Sequence, residues 1–436
     1  MEWTSQLLMI QPPKSNPIPQ STHLERYILT DKSGHSAFWS HLEDALAVRR
    51  AESLNRQCTI SEPLGPCSIS RNGTIAVNFG ANDYLGLSWH PEVRQAALEA
   101  SRTFQKFGSG ASPLVTGQTQ QHAKLRQAIA KFKNSEDAIV FSSGYAANVG
   151  TVASLAGKED IIFSDSLNHA SLIDGCRLSR AQVVIYPHCD YLALRKLVQQ
   201  NRQRSRFAFI ATDSVFSMDG DLAPLAEITT LCEEFDLHCI LDDAHATGVY
   251  GTNGQGLAEH LSIVSNRIIS VGTLSKALGC MGGFVAGPSV LIEWLTNFAR
   301  SWVYSTASTI PNAAAVCKAI SLAQAMRTER IQLAKQAIDL RAHLNRLGFR
   351  VGAGDSPIIP VYINDPKQVL RTSEELLQMG FYVPAIRPPT VPENGSLLRI
   401  SLSVSHTERE ISQLIGALER TNSAIRSAGH LSTRDG

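Results

Sequence analysis

Lys276 stands in Gly272-Thr273-Leu274-Ser275-Lys276-Ala277-Leu278-Gly279, a turn of small residues between an apolar run at 267–271 and a glycine-hinged one at 282–287. An amine presented from such a turn loses part of its hydration. That lowers its pKa and makes it a better nucleophile toward an aldehyde. A lone loop lysine is ordinarily just solvated, so the weight falls on its company upstream. Asp242 follows the apolar run 238–241 directly, and His245 comes three residues later. A charge at the end of a buried strand needs a partner. His169 lies in Ser164-Asp165-Ser166-Leu167-Asn168-His169-Ala170-Ser171, again right after an apolar run. Gly144 and Tyr145 open a helical stretch after another such run, and the exposed N–H groups of a glycine-containing helix start suit a phosphate. Singly, Asp242 reads as a helix cap and each histidine as a satisfied core residue. In this order, each following a strand, they read as a set.

An aldehyde-holding lysine, a buried carboxylate, a ring-contacting histidine and a phosphate cradle are what pyridoxal 5'-phosphate (PLP) chemistry uses together. The carboxylate pairs with the protonated pyridine nitrogen, which makes the ring an electron sink, and the lysine holds the aldehyde as an imine. His245 is close enough in sequence to Asp242 to reach the ring hydroxyl.

The elements that must position this set alternate along the chain. Short apolar runs at 138–141, 160–163, 182–186, 207–212, 238–241, 268–271 and 284–286 are separated by helical stretches. Continuous apolar runs are expected of strands covered on both faces, and the alternation predicts an α/β domain with a mainly parallel, seven-stranded sheet. Ligands of such sheets bind outside the carboxyl ends of the strands, which is where the polar residues above fall. The expected organisation is a polar, proline-rich extension at 1–36, flexible or loosely docked, and a helical segment at 37–75. A large domain follows at 76–308, then a smaller C-terminal α+β domain at 309–436. In that last part a long helix is expected from Pro311 to Leu347, strands at 358–363 and 397–404, and a final helix opened by the capping box Thr407-Glu408-Arg409-Glu410. Arg399 sits within an apolar strand. It reads either as a surface arginine or as a bidentate clamp on a carboxylate.

Composition sets bounds. The 436 residues are 43% hydrophobic and 18% charged, with a net charge of +1, so nothing electrostatic draws the chain to nucleic acid or an anionic membrane. No apolar run is long enough to span a bilayer. Eight scattered cysteines without a CxxC pair read as reduced thiols in a cytoplasmic compartment. His188-Cys189 and His238-Cys239 lack metal-ligand spacing, and no metal site is expected. A mitochondrial presequence finds little support in an extension that carries Glu2, Glu25 and Asp31, and Ser432-Thr433-Arg434-Asp435-Gly436 is not a Ser-Lys-Leu-type peroxisomal address.

Four segments carry a resemblance to a known family over about residues 40–420: 214–221 (Ser-Val-Phe-Ser-Met-Asp-Gly-Asp), Asp242-Asp243-Ala244-His245, the Lys276 turn, and 385–392 (Ala-Ile-Arg-Pro-Pro-Thr-Val-Pro). The chain resembles the α-oxoamine synthases, fold-type I PLP enzymes, and the last segment points to their biotin-pathway branch. The resemblance implies that Lys276 carries the cofactor, Asp242 binds the pyridine nitrogen and His169 stacks on the ring. It implies His245 and Ser217 near the phenolic oxygen, and Gly144, Tyr145 and Thr273 on the phosphate. Thr306 would reach the phosphate of a partner subunit, making a homodimer with shared active sites. Asn82 and Arg399 would hold the substrate carboxylate, and Arg56, aligned near the end of the first helix, would face the acyl-CoA. The implied reaction is a decarboxylative Claisen condensation of L-alanine with pimeloyl-CoA. Ala246, where glycine is usual, and Gly110-Ala111-Ser112-Pro113 depart from the family pattern and leave the choice of amino acid and acyl chain open. Glycine or serine with another acyl-CoA, or a carrier-bound polyketide in secondary metabolism, are the alternatives. A catalytically silent partner subunit is the reading from a different class.

Overall fold

The computed structural model describes residues 36–431, with side chains to 421. The expectations for the extension at 1–36, save Ser36, and for the last five residues lie outside the described residues. The helix Ala37–Ala51 comes first, with Ser36 as its N-cap. Strands β1 (Ser61–Gly65), β2 (Ser68–Arg71) and β3 (Thr74–Asn78) then form an antiparallel meander. The expected helical segment at 37–75 is therefore helical only in its first third. Pro63 and Gly65-Pro66 break it, and Asn72-Gly73, both at positive φ, make the tight turn that pairs β2 with β3.

The central sheet holds seven strands: β4 (Asp137–Phe141), β5 (Ile161–Asp165), β6 (Gln182–Tyr186), β7 (Ala208–Asp213), β8 (His238–Asp242), β9 (Ile268–Thr273) and β10 (Gly283–Gly287). Their order is β4-β10-β9-β8-β7-β5-β6, with β10 antiparallel to both neighbours and the other contacts parallel. Side chains alternate between two apolar layers. Ile161, Phe163, Ile210, Cys239, Leu241 and Phe284 face one layer. Ile162, Phe209, Ala211, Ile240 and Val285 face the other. Both faces are thus covered, which is why the runs lack polar alternation. The parallel register sets Asp213 of β7 beside Asp242 of β8.

The later chain builds β11 (Ile358–Asn364), β12 (Phe381–Tyr382), β13 (Ala385–Ile386) and β14 (Ser396–Ser401). β14 lies between β11 and β13. β12 pairs parallel with β3, so the last quarter of the chain extends the early meander. The helix expected from Pro311 to Leu347 is two helices, Ile310–Ala325 and Arg327–Arg346, parted at Met326 with ψ 43°. Methionine favours helix, so sequence gave no signal for the break. It is stabilised in tertiary structure: buried Arg330 donates to the carbonyls of Ala323, Gly251 and Thr252. The capping box forms as expected, Thr407 N–H to Glu410 Oε2 at 2.8 Å and Glu410 N–H to Thr407 Oγ1 at 3.2 Å.

Candidate active site

Lys276 leaves the turn after β9 and reaches His245, with Nζ 2.7 Å from Nε2. His245 Nδ1 is 2.7 Å from the hydroxyl of Tyr84, which donates to Asn82 Oδ1 at 3.1 Å. Arg399 Nη1 donates to the same Asn82 oxygen at 3.0 Å. Arg399 is held by the Ser217 carbonyl at 2.6 Å from Nε and by Ser401 Oγ at 2.6 Å from Nη1. It is buried, so the surface-arginine reading does not hold. Burial pushes the Lys276 amine down to about 8, against the pull of Asp242 and Asp213 and with help from Arg399. Burial, with Lys276 and Arg399, holds His245 well below the usual histidine range and therefore neutral.

A second chain runs from the other side. Asp242, buried at the end of β8, accepts from Asn148 Nδ2 at 2.6 Å and from the Ala244 N–H at 2.8 Å. Asn148 Nδ2 also reaches Ser171 Oγ at 2.9 Å, which in turn lies 2.7 Å from His169 Nδ1. The backbone N–H of His169 donates to Asp213 Oδ2 at 2.7 Å. Burial and the adjacent Asp242 charge push Asp213 well above the carboxylate range. His169 is lowered by burial, with Asp242 opposing.

At the start of the helix Gly144–Leu155, Ser143 caps by accepting from the Ala146 N–H. A Cβ on Gly144 would come 3.2 Å from Thr273 Cβ, a tight contact, so glycine lets the helix start lie close against the lysine turn. Thr273 Oγ1 is 2.8 Å from Ser275 Oγ and donates to the Gly282 carbonyl at 3.0 Å. The Tyr145 hydroxyl is taken by Asp174, and its ring stands edge-on to His169 with centroids 6.4 Å apart. What Tyr145 retains for a phosphate is its backbone N–H.

The structure brings Lys276, Asp242, His245, His169, Asn82, Arg399 and the Ser217 carbonyl into these two chains, with Gly144, Tyr145 and Thr273 at their edge. Thr306 and Arg56 stand apart. Thr306 is exposed on the segment after the helix Arg300–Val303. Arg56 lies in the loop beyond the first helix, which ends at Ala51, and donates to Thr390 Oγ1 at 2.7 Å. It lines a cavity of about 410 Å³ with Arg71, Arg387 and Pro388. Arg387 is lowered by burial and by the like charges of Arg56 and Arg49, a crowding that favours an anion. Sequence reasoning missed Tyr84, Asn148 and Asp213 as site residues. Asn148, one helical turn after Gly144, and Asp213, an acid closing a strand, were findable; Tyr84 in its turn gave no separate signal.

The donor set fits PLP on three observations. Among the described residues no cation comes within ion-pair reach of buried Asp242, and a pyridinium supplies one. Asn148 Oδ1 beside it is buried without a partner. The Lys276 amine is poised near neutrality.

A model of the class I and II aminotransferase family matches residues 74–418. The 8-amino-7-oxononanoate synthase of Anaeromyxobacter dehalogenans is 43% identical over 360 residues, covering 82% of this chain and 90% of that protein. The chain belongs to the α-oxoamine synthase family. Another family member, the 8-amino-7-oxononanoate synthase of Methylobacillus flagellatus, is 40% identical over 383 residues, 88% of this chain and 96% of that one. Among solved structures, serine palmitoyltransferase from S. paucimobilis with a bound PLP–myriocin aldimine matches with a TM-score of 0.84 at 28% identity, covering 90% of this α-oxoamine synthase and 99% of that chain. The fold is accordingly that of the fold-type I PLP transferases.

Proposed function

We propose that this α-oxoamine synthase condenses L-alanine with pimeloyl-CoA, releasing CoA and carbon dioxide and giving 8-amino-7-oxononanoate. PLP-dependent α-oxoamine synthesis goes with the family; the choice of substrates rests on the likeness to the relatives that carry the synthase name. The observation that carries the reading is the hydrogen-bonded chain joining Lys276 to the Asn82–Arg399 pair, because it sets a base and a carboxylate clamp at the two ends of one short span. Bound PLP supplies an aldehyde carbon for the lysine amine and a cationic ring that accepts an electron pair.

The remaining work falls to the chain's own groups. Arg399 and Asn82 hold the amino-acid carboxylate, fixing Cα relative to Lys276. Lys276, poised near 8, takes the Cα proton as the neutral amine and returns it after decarboxylation. Asp242, kept in place by Asn148 and the Ala244 N–H, would hold the positive ring nitrogen. His169 would cover the ring, His245 and Ser217 would serve the phenolic oxygen, and Gly144, Tyr145 and Thr273 would receive the phosphate. Arg56 and Arg387, at the rim of the basic cavity, face the CoA phosphates. Thr306 completes the phosphate site of a second copy, making a homodimer. Eight free thiols support a reducing, cytoplasmic setting.

The test is CoA release by the PLP-loaded protein with L-alanine, glycine and L-serine against pimeloyl-CoA and longer acyl-CoAs. Release with alanine and pimeloyl-CoA is expected. Preference for serine with a long acyl-CoA would replace this reading by the one that the serine palmitoyltransferase likeness supports. A protein that takes up PLP but never releases CoA would turn it into the silent-subunit reading.

A further inference from the structure

The hydrogen-bonded chain from Asp242 to His169 crosses three elements. Asp242 ends β8, Asn148 lies on the helix Gly144–Leu155, and Ser171 lies on the helix Ala170–Ser179 that His169 caps. The two helices approach closely at Gly175, where a Cβ would stand 2.9 Å from that of Val152, and both linking side chains are buried. An ionised Asp242 only accepts. Asn148 therefore turns its NH2 toward it, giving one hydrogen to Oδ2 at 2.6 Å and the other to Ser171 Oγ at 2.9 Å. The Ser171 hydroxyl hydrogen then falls to His169 Nδ1 at 2.7 Å. The backbone N–H of Ser171, which can only donate, meets the same nitrogen at 3.3 Å. Nδ1 thus accepts from two donors, and the single ring hydrogen sits on Nε2. Neither the other tautomer nor the imidazolium fits these partners. Nε2 has no hydrogen-bond partner among the described residues, and His169 is exposed.

We propose that Ser171 and Asn148 are positioning residues that hold His169 as an Nε2–H donor for a substrate oxygen, the carboxylate of the amino acid or the carbonyl of the thioester. The Asp242 carboxylate orients the Asn148 amide, the amide directs the Ser171 hydroxyl, and the hydroxyl fixes the histidine. No member of this chain touches Lys276 or serves the phenolic oxygen, so the arrangement is the same with PLP bound as without it. A helix cap needs only an acceptor, which serine, aspartate or asparagine supplies. A histidine in that place accepts through one nitrogen and keeps a donor on the other.

This inference rests on the reading of Asp242 as the carboxylate that pairs with the ring nitrogen of PLP, and the test separates the two. The first readout needs no turnover. In the PLP-loaded protein with 15N-labelled histidine rings, His169 is assigned by its loss in His169→Phe. Hydrogen on Nε2 and a bare, hydrogen-bonded Nδ1 are expected; hydrogen on Nδ1, or on both nitrogens, would end the proposal. In Asn148→Asp an oxygen replaces the NH2 and has at most one hydrogen, for Asp242, and none for Ser171. The Ser171 hydrogen then turns to that oxygen, and the Nδ1 resonance should shift; an unchanged resonance would remove Asn148 from the chain. The second readout is kinetic. Ser171→Ala should lower kcat/KM for CoA release about tenfold, the size of one net hydrogen bond. The same change made on His169→Phe should cost less than twofold, because Ser171 acts through the imidazole. A further tenfold loss on His169→Phe would make Ser171 a merely structural group and overturn its role. The wild-type spectrum decides the tautomer even if a variant does not fold or the loaded protein never releases CoA. A chain that takes up no PLP would overturn the proposed function, whatever the tautomer of His169.

Discussion

At the scale of single residues, Lys276 is the group whose environment says most. An ordinary lysine stays charged until about pH 10.5, whereas burial brings this one to about 8. Uptake of PLP by cofactor-free protein needs the neutral amine, so its rate should climb as pH rises to about 8 and then level off. A climb continuing to pH 10 would mean a solvated lysine. Lys276→Ala should lose the cofactor absorbance band and slow turnover by at least ~10²–10⁴-fold, the span of a positioned base. Arg399→Lys keeps the charge but not the two-pronged geometry. It should raise KM for the amino acid ~10–100-fold, one or two steps of about 1.4 kcal/mol, and leave KM for the acyl-CoA unchanged. An equal rise in both constants would place Arg399 elsewhere. Lys276, Asp242 and His169 could be read in the sequence as candidates because each follows an apolar run, whereas Arg399 lies within one. Tyr84 could not, since its place follows from Arg399, some three hundred residues later and reachable only in the folded chain.

At the scale of elements, the end of β5 and the loop after β7 are joined by a side chain outside both chains of the site. His188 lies 3.0 Å from Asp165 through Nδ1 and 2.8 Å from Asp221 through Nε2. Those two carboxylates push its imidazolium up to about 12, against the cost of burial. Its pKa is raised on folding, so its stabilising effect is complete below the unfolded value near 6.5 and is lost as pH rises toward about 12. His188→Asn should lower the melting temperature, by less than the ~2–4 °C per kcal/mol of 150–250-residue domains because this chain is larger. The gap between wild type and variant should be wider at pH 6 than at pH 10. A constant gap would mean that packing against Phe216, 4.3 Å away ring to ring, is the whole effect. Strand positions in the central sheet were legible because both faces are dry and the runs are continuous. The meander at 61–78 was not, since β1 is exposed along its length and has no apolar pattern to show.

At the scale of the whole molecule, several large apolar side chains among the described residues stand in solvent. Phe107, Val115, Met281 and Tyr304 are each at least 67% exposed, and Thr306 stands two residues past Tyr304. Where such side chains adjoin, they mark interfaces. The purified protein should scatter light with twice the mass of the chain, and Thr306→Val should release PLP faster without dissociating that dimer. A monomer that holds PLP tightly would contradict the shared site. Sequence reached this surface only through family resemblance, because an interface strand or loop is apolar for the same reason a core one is.

The parallel pairing of β12 with β3 has a bearing on synthesis. Until residue 382 has left the ribosome, the edge of β3 has no neighbour, and Asn82, four residues past that strand, waits for Arg399 to arrive. The nascent chain therefore carries a raw, pairing-competent edge for most of its translation. A version cut before β12 should not be a smaller working enzyme but an aggregating one, and a chaperone's help should matter most in that interval.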